Sequence, residues 1–131
     1  MIEIYTDGGS RGNPGKSACA FVVFKDKVEI VTKHFYLGIR TNNQAEYEGL
    51  IKGLEYAKES NYTNVKFFSD SELMVKQLKK LYKVKDEGIK ILYDKAEKII
   101  SQLESFEITH VRRELNKRAD LLVNKCLDEE K

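Results

Sequence analysis

The sequence lacks long apolar runs, and it is poor in proline. No stretch approaches the roughly 20 consecutive apolar residues that a membrane-spanning helix needs, so we expect a soluble protein without a membrane partner. The polar, acidic N-terminus lacks the basic and apolar regions of a signal peptide, which favours a cytoplasmic location. Pro14 is the single proline, and neither a linker nor a low-complexity tract interrupts the chain. The sequence therefore predicts one domain over residues 1–131.

Cysteine is scarce, and charge of one sign is not in excess. Cys19 and Cys126 form no C-x-x-C pair and sit in apolar patterns, which is typical of buried free thiols rather than of disulfide or metal ligands. The formal net charge is only +2. Basic residues cluster at 76–85 and at 112–118. Such clusters are usually solvated faces, and nucleic acid is one partner that would suit them.

The composition is that of a folded domain, with 41% hydrophobic and 34% charged residues. β-branched and aromatic residues predict strands, and apolar residues spaced by three and four predict helices. The strands are expected at residues 2–6, 18–25, 28–37, 65–69 and 106–111. The helical faces are expected to contain Leu50, Leu54 and Ala57; Leu73, Gln77 and Leu81; Ile89, Leu92, Ala96, Ile99 and Leu103; and Ala119, Val123 and Cys126. Ser71 and Asn116 are of the residue types that begin helices. The element order is therefore βββαβααβα, an α/β fold.

Two acidic residues follow short strands at the same edge of the predicted sheet. Asp7 follows IEIYT, and Asp70 follows VKFFS. If the first three strands form an antiparallel meander, a right-handed crossover helix makes the fourth strand parallel to the first. Neighbouring strand ends then place the two carboxylates about 5 Å apart in one crevice. The stretch GGSRGNPG after Asp7 matches neither common phosphate-binding loop, so on its own it is a polar turn.

Two of the predicted helices bring further acidic residues to this edge. Glu46 lies four residues before Leu50 and extends the sheet-facing stripe of its helix, whereas Glu48 points elsewhere. Asp120, in the second turn of the last helix, flanks the buried stripe of that helix. Taken singly, such acids are ordinary capping or turn residues. Four carboxylates at one edge would repel one another unless cations were bound, and all-oxygen ligation favours Mg²⁺ or Mn²⁺.

Four acidic stretches follow one another along the chain: YTDGGSRGNPG, TNNQAEYEGL, FFSDSEL and ELNKRADLLVN. Their order and spacing match the motifs of type 1 ribonucleases H, and the chain resembles this family over nearly its whole length. The resemblance implies a ribonuclease-H-like fold, a five-stranded mixed sheet with helices on both faces. It also implies hydrolysis of the RNA strand of RNA–DNA hybrids with two Mg²⁺ ions, or Mn²⁺ in their place. The catalytic metal ligands implied by the resemblance are Asp7, Glu46, Asp70 and Asp120.

The resemblance also assigns residues to the RNA–DNA hybrid. By similarity, hydrogen bonds to phosphates, 2′-hydroxyls or base edges in the minor groove come from Asn13, Thr41, Asn42 and Asn43. Position by position, the same residues are equally suited to turns and helix caps. Thr41 with Gln44 has the pattern of a capping box. In the family context, the glycines after Asp7 keep the turn slim beside a nucleic-acid backbone.

Two features depart from the family pattern. Many members carry a histidine in the loop after the fifth strand, where this chain has VRRELN. His110 falls inside the predicted strand, where a structural role is favoured, and His34 lies near no acidic motif. The basic stretch KKLYKVKDEG is shorter than the protrusion of many members. Because no separate hybrid-binding domain precedes Met1 either, we expect modest affinity for the substrate.

Two other functions also fit the residues. One is a catalytically weak ribonuclease-H-like module that only binds nucleic acid, although all four acidic positions are filled. The other is a nuclease of the same fold that acts on RNA duplexes or DNA. We expect a monomer, whereas the sequence predicts neither the exact duplex nor the metal used in the cell.

Overall fold

The computed structural model describes residues 1–130, which form one five-stranded sheet and four α-helices. The elements are β1 (Ile2–Gly12), β2 (Gly15–Lys25), β3 (Val28–Arg40), α1 (Asn42–Glu59), β4 (Asn64–Ser69), α2 (Glu72–Leu78), α3 (Glu87–Ile100), β5 (Ser105–His110) and α4 (Lys117–Glu129), with a 3₁₀ turn at Arg113–Leu115. The predicted element order is confirmed. None of the helices in the described chain has the length and apolar character needed to cross a bilayer.

The strands lie in the order β3-β2-β1-β4-β5, with β1 at the centre of the sheet. β1, β2 and β3 form an antiparallel meander, whereas β4 is parallel to β1 and β5 is parallel to β4. The ladder between β1 and β4 stops at the pair Thr6–Ser69, although β1 continues. The two strands therefore separate at this edge and leave a crevice between them.

Helices cover both faces of the sheet, as the resemblance implied. α1 packs on one face, where Ile4, Phe21 and Phe67 are buried together with apolar residues of α2 and α3. α4 packs on the other face against Ala18, Ala20 and Val22. Because successive residues of a strand point to opposite faces, β2 contributes to both cores. Both cysteines are buried free thiols, as predicted.

The first strand is longer than the sequence predicted. Residues 8–12 do not form a loop but pair with β2, in a register that runs from Gly8–Cys19 to Gly12–Gly15. The prediction of a polar turn directly after Asp7 is therefore wrong, and the turn lies at Asn13–Pro14. Gly12 closes this hairpin with a φ of +104°, a conformation that glycine adopts at little cost.

Two helical faces also differ from the prediction. α2 ends at Leu78, so Leu81 falls outside it, and both Leu73 and Leu81 are exposed. The buried residues of α2 are instead Met74, Val75, Gln77 and Leu78. α3 ends at Ile100, and Leu103 packs on the core from the following turn. A spacing of three or four continues across a helix end in the sequence, so it does not mark where these helices stop.

Candidate active site

Three carboxylates meet at the edge where β1 and β4 separate. One carboxylate oxygen from each of Asp7, Glu46 and Asp70 lies within 4.8 Å of the others. Asp7 and Glu46 are buried, and Asp70 is half-buried. The predicted proximity of Asp7 and Asp70 is confirmed, and Glu46 rather than the half-buried Glu48 joins them.

Glu46 reaches this cluster because α1 packs directly on the backbone of β1. The Gly8 N–H donates a hydrogen bond of 2.9 Å to the Glu46 carboxylate. A Cβ atom on Gly8 would lie 2.1 Å from the carbonyl oxygen of Ala45, and one on Gly49 would lie 2.7 Å from that of Asp7. The two glycines therefore permit a helix–strand approach that a side chain would prevent. Sequence reasoning missed this role of Gly8, because the close neighbour of Gly8 comes from a distant part of the chain.

Asp120 lies beside Asp7 rather than within the three-oxygen cluster. It is half-buried in the first turn of α4, which begins at Lys117, and not in the second turn as predicted. The negative charge of Asp120 and a hydrogen bond between the two carboxyl groups both help to raise the pKa of Asp7. The structure thus brings all four predicted acids to one edge of the sheet.

The electrostatics of the cluster are those of uncompensated negative charge. Burial, then Asp70 and Asp120, raises the pKa of Asp7 to about 8. Burial, then Asp7 and Asp70, raises the pKa of Glu46 well above its ordinary value. Burial also raises the pKa of Asp70, although the Arg113 charge acts in the opposite direction. A cation would relieve these shifts, and a donor set made only of oxygen fits Mg²⁺ or Mn²⁺.

The residues predicted to contact nucleic acid lie together where α1 begins beside the β1–β2 turn. The Asn42 backbone N–H donates to Asn13 Oδ1 at 3.0 Å, and the Ser10 N–H donates to Asn42 Oδ1 at 3.3 Å. Asn13, Asn42 and Asn43 are exposed. The side-chain NH₂ groups of Asn13 and Asn42 thus remain available to a ligand.

Two of the three predicted helix caps are confirmed, and the third is not. Thr41 and Gln44 form the predicted capping box, with hydrogen bonds of 2.9 and 3.2 Å, and Ser71 caps α2 as predicted. Asn116 occupies the N-cap position of α4, but its side chain makes no capping bond. It donates instead to the carbonyl oxygen of Thr6 at 2.9 Å.

The two histidines differ in their surroundings. His110 is the last residue of β5, where it pairs with Ser69 beside Asp70. It lies within the strand as predicted, but it is exposed, so burial does not support the structural role that its position in the sequence favoured. His34 Nε2 lies 3.7 Å from a Glu129 carboxylate oxygen and links β3 to α4.

The sheet order and the acidic crevice define a ribonuclease-H-like α/β domain. A family model described as "Reverse transcriptase-like" matches residues 5–126. Ribonuclease HI of Halobacterium salinarum is 36% identical over 129 residues, which are 98% of this chain and 65% of that protein. The chain belongs to the type 1 ribonuclease H family.

Two further proteins that are similar to this chain differ from each other in length. LC11-RNase H1, isolated from compost by a metagenomic approach, has been crystallised in complex with an RNA/DNA hybrid. That structure is similar to this chain with a TM-score of 0.95 and 38% sequence identity, and the match covers 99% of both chains. A bifunctional protein of Mycobacterium tuberculosis is 36% identical over 129 residues, 97% of this chain. The chain spans 65% of the length of the Halobacterium protein and 35% of the Mycobacterium protein.

Proposed function

We propose that the chain is a divalent-cation-dependent endoribonuclease that hydrolyses the RNA strand of RNA–DNA hybrids. The observation that carries the proposal is the meeting of three carboxylate oxygens, from Asp7, Glu46 and Asp70, within 4.8 Å at the crevice. The relative LC11-RNase H1, crystallised with an RNA/DNA hybrid, supports the substrate class. Mg²⁺ is the proposed cation. A monomeric state and a cytoplasmic location remain predictions from the sequence.

All four acids are proposed to hold the cations. Asp7 lies beside both Glu46 and Asp120, so it would hold a cation together with either acid. The Gly8 N–H keeps the Glu46 carboxylate turned towards Asp7. Because burial and the neighbouring acids raise the pKa of Asp7 to about 8, its carboxyl would have to lose a proton to hold a cation at neutral pH. When bound, two such ions supply an activated water and stabilise the leaving 3′-oxygen.

The asparagines beside the acids are proposed to hold the hybrid. Asn13, Asn42 and Asn43 offer exposed amide donors where α1 begins. Phosphates, 2′-hydroxyls and base edges in the minor groove accept hydrogen bonds from such groups. Thr41 fixes the first turn of α1 as its cap, and it would contact the hybrid only through the remaining capacity of its hydroxyl.

Cleavage of three duplexes of one sequence, RNA–DNA, RNA–RNA and DNA–DNA, tests the proposal. Each is incubated with Mg²⁺, Mn²⁺ or EDTA, and we expect cleavage only of the RNA strand in the hybrid and only with a cation. Equal cleavage of another duplex would favour the same-fold nuclease, and binding without cleavage would favour the binding module.

Asp7→Asn and Asp70→Asn are the matched variants for this assay. Each replaces a carboxyl group that would hold a cation with a neutral amide and keeps the shape of the side chain, so we expect cleavage to be abolished while the fold persists. The cation-free variants should be slightly more stable, because repulsion among the acids is reduced. Near-normal Mg²⁺-dependent cleavage by either variant would contradict the assignment of the ligands.

A further inference from the structure

A buried side chain links α4 to the centre of the sheet. Asn116 is 2% exposed, and its Nδ2 donates a hydrogen bond of 2.9 Å to the carbonyl oxygen of Thr6. Thr6 is the last residue of β1 that pairs with β4, and Asp7 follows it. The Asn116 amide therefore holds β1 at the point where the crevice opens.

Asn116 is also connected to Asp120, through the backbone. The Asp120 N–H donates to the carbonyl oxygen of Asn116 at 3.1 Å, one helical turn away. Two hydrogen bonds thus run from the backbone of Asp120 through Asn116 to the residue before Asp7. This path joins the two acids independently of the contact between their carboxyl groups.

The other contacts of α4 do not fix its position as narrowly. Its apolar residues pack on Ala18, Ala20 and Val22, and apolar packing is non-directional. The ion pairs Arg11–Asp128 and Arg118–Glu29 join exposed side chains, and such pairs contribute little. The buried directional contact at the start of α4 is the hydrogen bond from Asn116 to Thr6, because the Arg118–Glu29 hydrogen bonds at the same end join exposed side chains.

Helix stability alone does not explain Asn116. Its side chain makes no capping bond at the N-cap position. Its Oδ1 is buried and has no hydrogen-bond partner in residues 1–130, and an unpaired buried acceptor is costly. A residue present only to begin a helix would cap it instead.

We propose that Asn116 is a positioning residue that sets where Asp120 lies relative to Asp7. The inference rests on the proposed function, which assigns both acids as cation ligands. Asn116 touches neither cation nor substrate and acts through Asp120. Removal of a residue that orients a metal ligand typically weakens metal binding or activity about 10- to 100-fold.

Asn116→Ser separates positioning from helix capping. Serine is a favoured N-cap residue, so the helix start is kept, but its hydroxyl is too short to replace the amide at Thr6. We expect the Kd of the substrate-free protein for Mn²⁺, measured by titration calorimetry, to rise about tenfold. On the hybrid, kcat should fall while KM stays unchanged.

Asn124→Ser is the control, because Asn124 is an exposed asparagine of the same helix that donates to the Asp120 carbonyl at 3.2 Å. Its contact with β1 is to the exposed side chain of Arg11, at 3.4–3.5 Å, and not to the strand backbone beside Asp7. Its Mn²⁺ affinity should stay within twofold of the parent. In an Asp120→Asn background, Asn116→Ser should add less than a twofold effect, because the ligand through which it acts is gone.

If Asn116→Ser folds, any of three results would overturn the inference: an unchanged Kd in this variant, the same loss with and without Asp120, or equal losses in Asn116→Ser and Asn124→Ser. If Asn116→Ser does not fold, Asn116→Ala is measured in the same way. If both variants fail to fold in saturating Mn²⁺, Asn116 serves stability alone, and the inference is overturned too.

The proposed function is judged on the unsubstituted protein. If that protein binds Mn²⁺ but does not cleave the hybrid, the proposed nuclease function is contradicted, and the comparison of the Asn116 variants still tests the positioning role. If it does not bind Mn²⁺, both the proposed function and the positioning role are contradicted.

Discussion

The raised pKa of Asp7 makes the stability of the cation-free protein depend on pH. Between the ordinary aspartate pKa of 3.8 and about 8, the folded protein keeps a proton that the unfolded chain has lost. The free energy of unfolding therefore falls as pH rises through this window, by up to about 1.4 kcal/mol per pH unit for one group. Asp70 and Glu46 act in the same direction, because their pKa values are raised as well.

Urea unfolding in EDTA at pH 5, 6, 7 and 8 measures this dependence. Asp7→Asn is the control: its curve should be flatter, and the difference from the parent isolates Asp7 and its partners. Saturating Mg²⁺ should restore stability mainly at the high-pH end, where the carboxylates are ionised. Parallel curves for the parent and the variant would contradict the raised pKa.

His110→Ala tests whether the exposed imidazole at the end of β5 moves a proton. Because His110 is exposed, we expect a change in unfolding free energy below about 0.5 kcal/mol. We expect kcat to change by less than tenfold, with His34→Ala as the control away from the acids. A fall in kcat of a hundredfold or more, the scale of general acid–base catalysis, would identify His110 as a proton shuttle.

Single residues were predictable where strand direction alone decided their place. Asp7 and Asp70 follow paired segments of parallel strands, so topology brings them together. The roles of Gly8 and Asn116 depend on backbone atoms of Ala45 and Thr6. No local pattern records such a contact, so sequence reasoning described these residues only as a turn and a cap.

At the scale of elements, the approach of α1 to β1 depends on Gly8. In Gly8→Ala, the new Cβ would lie 2.1 Å from the Ala45 carbonyl oxygen, so the helix must move away. We expect a loss of at least about 1–3 kcal/mol in unfolding free energy, the usual cost of overpacking, together with weaker Mn²⁺ binding.

Gly9→Ala is the matched control, because its Cβ would meet only a Val123 methyl group at 3.5 Å. That distance is an ordinary contact, so stability and Mn²⁺ binding should be nearly unchanged. Equal effects of the two substitutions would contradict the role assigned to the helix–strand approach.

The junction of the β1–β2 hairpin with α1 carries the proposed contacts to the hybrid. Asn43→Ala should raise the Kd for the hybrid by about fivefold, equivalent to about 1 kcal/mol for one hydrogen bond. Asn42→Ala should cost more, because Asn42 Oδ1 also accepts from Ser10. Asn64→Ala, at the exposed start of β4, is the control. An unchanged KM with a collapsed kcat would contradict a binding role.

Element types were predicted well, but element ends were not. Alternation and three- or four-residue spacing identify a strand or helix from its middle. β1 extends to Gly12 because its last residues pair with β2. Glycines in a sequence do not indicate a strand, so this pairing was not predicted. α2 likewise ends at Leu78, before Leu81, which the three- and four-residue spacing had placed in the helix.

At the scale of the whole molecule, the topology followed from two general rules. Short connections pair neighbouring strands, and a crossover between parallel strands is right-handed. Together with the order βββαβααβα they yield the observed sheet, with the acids at one edge. The single-domain boundary at residues 1–131 stays a prediction.

The central position of β1 ties the assembly of the crevice to the order of synthesis. Asp7 is made early, but its neighbours come from α1, from the end of β4 and from α4, which occupies Lys117–Glu129. A nascent chain that has not reached α4 lacks Asp120. Because the last of the four acids belongs to α4, a half-made chain does not contain the full set proposed to hold cations. If the four acids act together as proposed, cleavage activity would require that α4 has been synthesised.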